Sequence, residues 1–389
     1  MAKIKLAHLY HSELISGILL MVSFAAAVLI ANIEPWQQTY KDFVFFPVTL
    51  GSGEFIYKGP LIQIVNDGLM TLFFLLIGLE LKFHLVRGEF QDRQTLILPG
   101  AAAVGGIVVP ALIFLWFNIN SPKTLEGWAI PIATDTAFML GILSFFGSFI
   151  STKLHAFIIG FSLMDDAIAL LILAVFYSKS ASLIAVTASI VLTGLLFVLN
   201  RLQVTRSFYY LFIGIFLWIA VVESGIHGTL CGVVLALAIP VGRGEYINPS
   251  FHGLENVLRP IVYFVILPLF AFVNSGVLLS TFSTSLLTSP LALGIILGLF
   301  VGKQVGIFVF SYAAVKLGYC SLPHNVCWPR FYAIGILGGI GFTLSLFIGD
   351  LTFEASEPNY IMRISVIIGS SLSAVLGTGL LIFLKKRAS

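Results

Sequence analysis

Asp165 and Asp166 stand side by side in a stretch otherwise suited to lipid. From Lys153 to Lys179 they are the only acidic or basic side chains apart from His155. A charged side chain at the centre of a bilayer costs about 2.5–3.5 kcal/mol on insertion scales, and two carboxylates in contact do not both ionise cheaply. A chain that keeps such a pair uses it on a cation or a proton. Adjacent helical positions point about 100° apart, so one acid lines a cavity while the other meets a neighbouring helix. Carboxylate oxygens take up protons and small hard cations alike. Competition of H⁺ and Na⁺ for one site, opened to each side of a membrane in turn, amounts to an exchange mechanism. The plainer reading is a buried, hydrogen-bonded acid.

Two further stretches place polar groups at membrane depth. Gly127-Trp-Ala-Ile-Pro-Ile-Ala-Thr-Asp-Thr136 carries Pro131 just before Thr134, Asp135 and Thr136. Proline removes one helical hydrogen bond and obstructs another, which predicts an interrupted helix lining a polar cavity. Ala333-Ile-Gly-Ile-Leu-Gly-Gly-Ile-Gly-Phe-Thr343 has four glycines before Thr343 and Ser345 and is the second candidate for unwinding. Half-helix N-termini carry about +0.5 charge and C-termini about −0.5. Asp135 suits the first and Lys303 the second. Lys303 lies about 12 residues into its apolar run, too deep to reach the interface, and must be paired or lose its charge. It bonds Asp165, titrates, or only stabilises the fold. Thr134 and backbone carbonyls add oxygens to a cation site built on Asp166 and Asp165.

The elements holding these residues follow from composition. The 389 residues are 58% hydrophobic and 10% charged, with mean hydropathy +1.03, against about 25% charged in soluble domains. Apolar runs about 20 residues long exclude a β-barrel and indicate an all-α integral membrane protein. Twelve spans are expected, near 13–32, 62–82, 96–117, 127–147, 155–177, 182–200, 206–222, 225–241, 256–277, 291–315, 331–350 and 361–384. With both termini cytoplasmic, fifteen of the 21 Lys/Arg fall inside, five outside and Lys303 within the membrane, in keeping with the positive-inside rule. The interrupted spans 4 and 11 are each central in a three-helix unit, 3–5 and 10–12. That predicts inverted-topology repeats with the ion site at the crossing. The whole chain, 1–389, reads as one transporter domain. The longest loop, about 33–61, holds two short alternating runs flanking Gly51-Ser52-Gly53, a β-hairpin at about 46–57 whose edge suits pairing with a second copy. Asp67 lies at the outer end of span 2, as a candidate entrance. Glu80, Lys82, His84 and Arg87 at its inner end, with Glu255 and Arg259 of span 9, form either a cytoplasmic funnel or a solvated interface. Cys231, Cys320 and Cys327 suggest neither a disulfide framework nor a metal centre, and nothing points to nucleic acid or to a resident cofactor.

Seven segments together resemble the NhaA-type bacterial Na⁺/H⁺ antiporters: Phe73–Glu80, Gly127–Asp135, Asp165-Asp166, Ser224–His227, Leu267–Phe272, Gly302-Lys303 and Gly338–Thr343. The resemblance runs from the first span to the last. It implies electrogenic antiport in the inner membrane, Na⁺ or Li⁺ out and protons in, for pH and sodium homeostasis, with activity rising at alkaline pH. It implies Asp166 as the main cation ligand, Asp165 as the partner of Lys303, Thr134 near the site, Asp135 and Lys303 as compensators of the helix ends, and a homodimer through the hairpin. The sequence departs from the family pattern at Phe83 and His84, where a base and an acid are expected, at Asn256 and Arg259, where histidines occur, and at Gln304, which replaces a proline. The first two departures fall in the region tied to pH response. Two alternatives compete. A sodium-coupled organic anion symporter needs a further polar cluster for its solute. An intramembrane aspartyl protease or prenyl-transfer enzyme needs Gly-x-Gly-Asp or acids repeated at helical spacing, and neither is present.

Overall fold

The computed structural model describes residues 2–52, 55–87, 93–177, 182–242, 248–281, 283–323, 326–353 and 357–388. Among the described residues the secondary structure is helical apart from one antiparallel hairpin. Among the described residues, ten helices are long and apolar enough to cross a membrane: Glu13–Asn32, Leu61–Arg87, Leu96–Asn118, Pro122–Ser144, Thr152–Phe176, Leu183–Arg201, Pro249–Asn274, Pro290–Lys316, Trp328–Thr352 and Glu357–Arg387. Their outward faces carry bare apolar side chains such as Trp116, Val175 and Ile184, the pattern of a multi-pass membrane protein. Two shorter apolar helices, Ser207–Glu223 and Thr229–Ala238, fall on the expected spans 206–222 and 225–241. The second is helical only from Thr229 to Ala238. Gly225, at φ +79°, turns the chain before it, and Pro240 ends it. Ten residues rise about 15 Å, half a hydrocarbon core. The expected loop 33–61 also contains a helix, Glu34–Val44.

The chain divides into two units. The first comprises Met1–Glu34, Asp92–Ala169 and Asn274–Ser389. Its tightest packing joins helix Arg93–Asn118 to helix Lys303–Lys316. A Cβ on Gly105 would sit 2.1 Å from the Gly306 carbonyl oxygen, so only glycine at both positions lets the two backbones touch, a packing mode typical of membrane helices. The Trp328–Thr352 span is almost wholly buried, and Glu357–Ala388 packs along its first half, Trp328–Leu337.

The second unit comprises Pro35–Gln91 and Leu170–Val273. Thr229–Ala238 packs on Met70–Arg87. The hairpin pairs Pro47–Ser52 with Phe55–Pro60, Ser52 opposite Phe55; its tip, residues 53–54, lies outside the described residues. Tyr40 of the Glu34–Val44 helix donates to the Phe272 carbonyl at 2.6 Å, and both Tyr40 and Phe43 stack edge-on against Phe272.

Candidate functional site

The site of the first unit starts from two interruptions. Around Pro131 the chain runs as a 3₁₀ helix, Glu126–Ile132, is extended at Ala133 and Asp135, and resumes as α-helix Thr136–Ser144. The glycine run breaks helix Trp328–Leu337 at residues 338–341, and Phe342–Thr352 continues beyond it. Broken helices strand amides and carbonyls where there is no water, and here each break satisfies the other. The Asp135 amide donates to the Ile340 carbonyl at 2.5 Å. The Thr134 hydroxyl donates to the Gly338 carbonyl at 3.0 Å, and the Ser345 hydroxyl to the Ile130 carbonyl at 2.8 Å.

Asp135 serves both downstream half-helices. Its Oδ1 accepts from the Phe138 amide at 2.9 Å. Its Oδ2 accepts from the Thr343 amide at 3.0 Å and the Thr343 hydroxyl at 2.6 Å. One carboxylate therefore caps two helix N-termini, where its charge meets two positive dipole ends.

Lys303 and Asp165 are both wholly buried. The ammonium group lies 2.9 Å from each Asp165 oxygen and 5.8 Å from the centre of the Phe161 ring. A π-helical turn, Gly298–Gly302, leads directly into Lys303; such turns widen a helix by one residue and re-aim the side chains after it. Thr134, whose hydroxyl hydrogen goes to Gly338, stands beside Asp165. Asp166 is 5% exposed and close enough to Lys303 for its charge to act on it. Thr134, Asp135, Asp165, Asp166 and Lys303 thus belong to one buried cluster. The bonds drawn by Lys303 run to Asp165. Gln304, next to Lys303, gives its carboxamide N–H to the Phe300 carbonyl inside the π turn and accepts the Tyr332 hydroxyl at 2.6 Å, which ties the Lys303 helix to the half-helix Trp328–Leu337.

In the second unit, Arg259 lies 2.9 Å from Glu80 and 2.7 Å from Glu255, and His252 Nδ1 lies 3.2 Å from Glu255. Phe83 stands where the family pattern has a base. It packs on the rings of His84, Phe251 and His252 at 5.9, 6.4 and 5.2 Å. Glu80, Glu255 and Arg259 therefore form one ion-pair group with His252 on Glu255, and His84 meets the ring of Phe83. Lys82 donates to the carbonyls of Leu237, at 2.7 Å, and Ile239, at the end of the short helix. Asp67 sits apart from these groups in a π-helical turn, Ile64–Leu69, where its carbonyl accepts from the Thr71 hydroxyl at 2.7 Å.

Residues 7–381 match the family described as Na⁺/H⁺ antiporter 1. The chain is 54% identical to the Na⁺/H⁺ antiporter NhaA of Rickettsia massiliae, over 97% of this chain and 94% of that protein. It is 43% identical to the NhaA of Vibrio vulnificus over 96% and 94%, and 44% identical to that of Vibrio cholerae over 96% of each. The chain belongs to the Na⁺/H⁺ antiporter 1 family. These relatives are named as transporters rather than enzymes.

Within this member of the family, both breaks fall where the sequence placed them, and the Asp165–Lys303 contact is one that the resemblance implied while the residues alone left it among three readings. Sequence reasoning missed that Thr343 binds Asp135, that Gln304 and Tyr332 join two helices, and that Ser162 lies buried one turn before Asp166. Thr343 and Ser162 are polar residues in apolar runs, a signal available without any structure. The Gln304–Tyr332 bond depends on a fold in which residues 28 positions apart face each other.

Proposed function

We propose that this chain exchanges Na⁺ or Li⁺ for protons across the bacterial inner membrane, extruding sodium electrogenically for pH and sodium homeostasis. Asp166 is the principal cation ligand, with Asp165 and Thr134 contributing oxygens. Lys303 holds Asp165 while the cation is away and yields it when the cation arrives. Protons and sodium compete for the same carboxylates, so binding one releases the other, and loss of more than one proton per sodium makes the cycle electrogenic. Asp135, and Lys303 together with it, offset the helix-end charges of the crossing. The reading extends to twelve spans with both termini cytoplasmic, inverted repeats of spans 3–5 and 10–12, Asp67 near the entrance, a charged cytoplasmic approach at Glu80, His84, Glu255 and Arg259, and a homodimer through the hairpin in a lipid bilayer.

The observation that carries this reading is the buried Asp165–Lys303 ion pair, adjacent in sequence to a second buried acid and beside Thr134 of the broken segment. Burying charge on this scale is costly unless it is used. The test is sodium-driven proton movement in proteoliposomes scanned over Na⁺, Li⁺, K⁺ and pH. Wild type moves protons on addition of Na⁺ or Li⁺, and Asp166→Asn abolishes the response while still inserting and folding. Undiminished exchange by Asp166→Asn removes that residue from the site, and no response by wild type to any cation sinks the reading.

A further inference from the structure

We propose that the Ser162 hydroxyl is a further oxygen ligand of the transported cation and sets its preference among alkali ions. The proposal rests on the antiport reading above. Ser162 lies on the unbroken helix Thr152–Phe176, three and four residues before Asp165 and Asp166. Residues at that spacing share a helix face, with Cβ atoms about 5–6 Å apart. Side chains on a helix lean toward its N-terminus, so both carboxylates lean back over the turn that holds Ser162.

Ser162 is 1% exposed, and its Oγ has no hydrogen-bond partner among the described residues. A buried hydroxyl left unpaired is costly, and serine in an apolar helix has an easy remedy in the carbonyl one turn back. Ser189 and Ser365 take it, donating to Ala185 at 2.9 Å and Ile361 at 2.7 Å, as does Thr352 to Ile348 at 2.7 Å. Ser162 forgoes that bond. Thr136, Ser275, Ser311 and Ser373 also carry unpartnered hydroxyls, but none of them is on the helix of the aspartate pair.

A hydroxyl oxygen has two lone pairs and adds a ligand to a hard cation without adding charge. Selectivity between cations of like charge turns on ligand number and cavity size. Li⁺, the smaller ion, is satisfied by fewer oxygens than Na⁺, so loss of a neutral ligand weakens Na⁺ more.

The experiment compares wild type, Ser162→Ala and Ser162→Thr by calorimetric titration with NaCl and LiCl in detergent, by exchange in proteoliposomes, and by thermal unfolding. Expected for Ser162→Ala is a weakening of Na⁺ binding by about tenfold, the scale of one hydrogen bond to a charged group, a smaller loss for Li⁺, an unfolding temperature without cation no lower than that of wild type, and recovery in Ser162→Thr. Affinities for both ions within twofold of wild type overturn the proposal while leaving antiport intact. Equal losses for the two ions with a lowered unfolding temperature also overturn it, since they mark a packing role. A wild type that binds and exchanges neither cation overturns this proposal together with the functional reading.

Discussion

Asp165 and Lys303 show how strongly a buried pair depends on both members. Two ions out of water are tolerated because each holds the other, and removing one leaves an uncompensated charge at a cost of about 3–5 kcal/mol. Asp165→Ala therefore destabilises the protein by that amount, and Asp165→Asn joined with Lys303→Gln regains most of the loss. Chemical denaturation in detergent measures both, and a double variant no more stable than the single one denies the coupling. Competition at the carboxylates has its own sign. Protons occupy the site as pH falls, so the apparent KM for Na⁺ rises on acidification and falls as pH increases, by at most about tenfold per pH unit for each competing proton. Exchange assays at fixed pH on both sides check this, and a KM flat across pH contradicts shared ligands. The chemistry of these residues was legible in the sequence because acids and a lysine stand out in apolar runs. The bidentate contact of Lys303 with Asp165 joins positions 138 apart, and resemblance rather than spacing indicated it.

At the scale of elements, the two breaks were legible because their causes are local. Pro131 denies an α-helix one hydrogen bond and lies in the 3₁₀ turn that precedes the extended residues, and Gly338, Gly339 and Gly341 weaken a helix. What lies across the breaks was not legible, since Thr343 meets Asp135 over a separation of 208 residues. Asp135→Ala takes the cap from two half-helices, each cap being worth about 1 kcal/mol. It lowers the unfolding temperature and slows exchange without ending it; a complete loss of Na⁺ binding with normal folding makes Asp135 a direct ligand instead. The Gln304 bridge makes a similar prediction. Tyr332→Phe costs about 1 kcal/mol, Gln304→Ala costs more because it also gives up the bond to Phe300, and the double variant costs little more than Gln304→Ala alone, because the bond between the two residues is lost once. Full additivity separates the two residues. The helix Glu34–Val44 escaped sequence reading because its polar and apolar residues alternate around the helix and vanish in an average over a membrane-length window. In the span expected at 225–241, the helical part Thr229–Ala238 is shorter than the apolar run for the opposite reason. Its apolar flanks continue past the glycine and proline that stop it.

Over the whole molecule, hydropathy alone gives the class, and the long apolar helices confirm it. The hairpin edge is the surface proposed to join two copies. Replacing residues 47–60 by a short glycine-serine linker converts dimers to monomers in light scattering of the detergent-solubilised protein, and dimers that persist move the contact elsewhere. Asp135 bears on how such a transporter works as a machine. Both downstream half-helices hang from the same three-atom group, like two spokes from one rivet. Neither spoke slides alone without abandoning its first amides in a medium that offers them nothing. Under the antiport reading, the two half-helices are therefore expected to travel as a single piece, with the gates on either side opening around them, not through them.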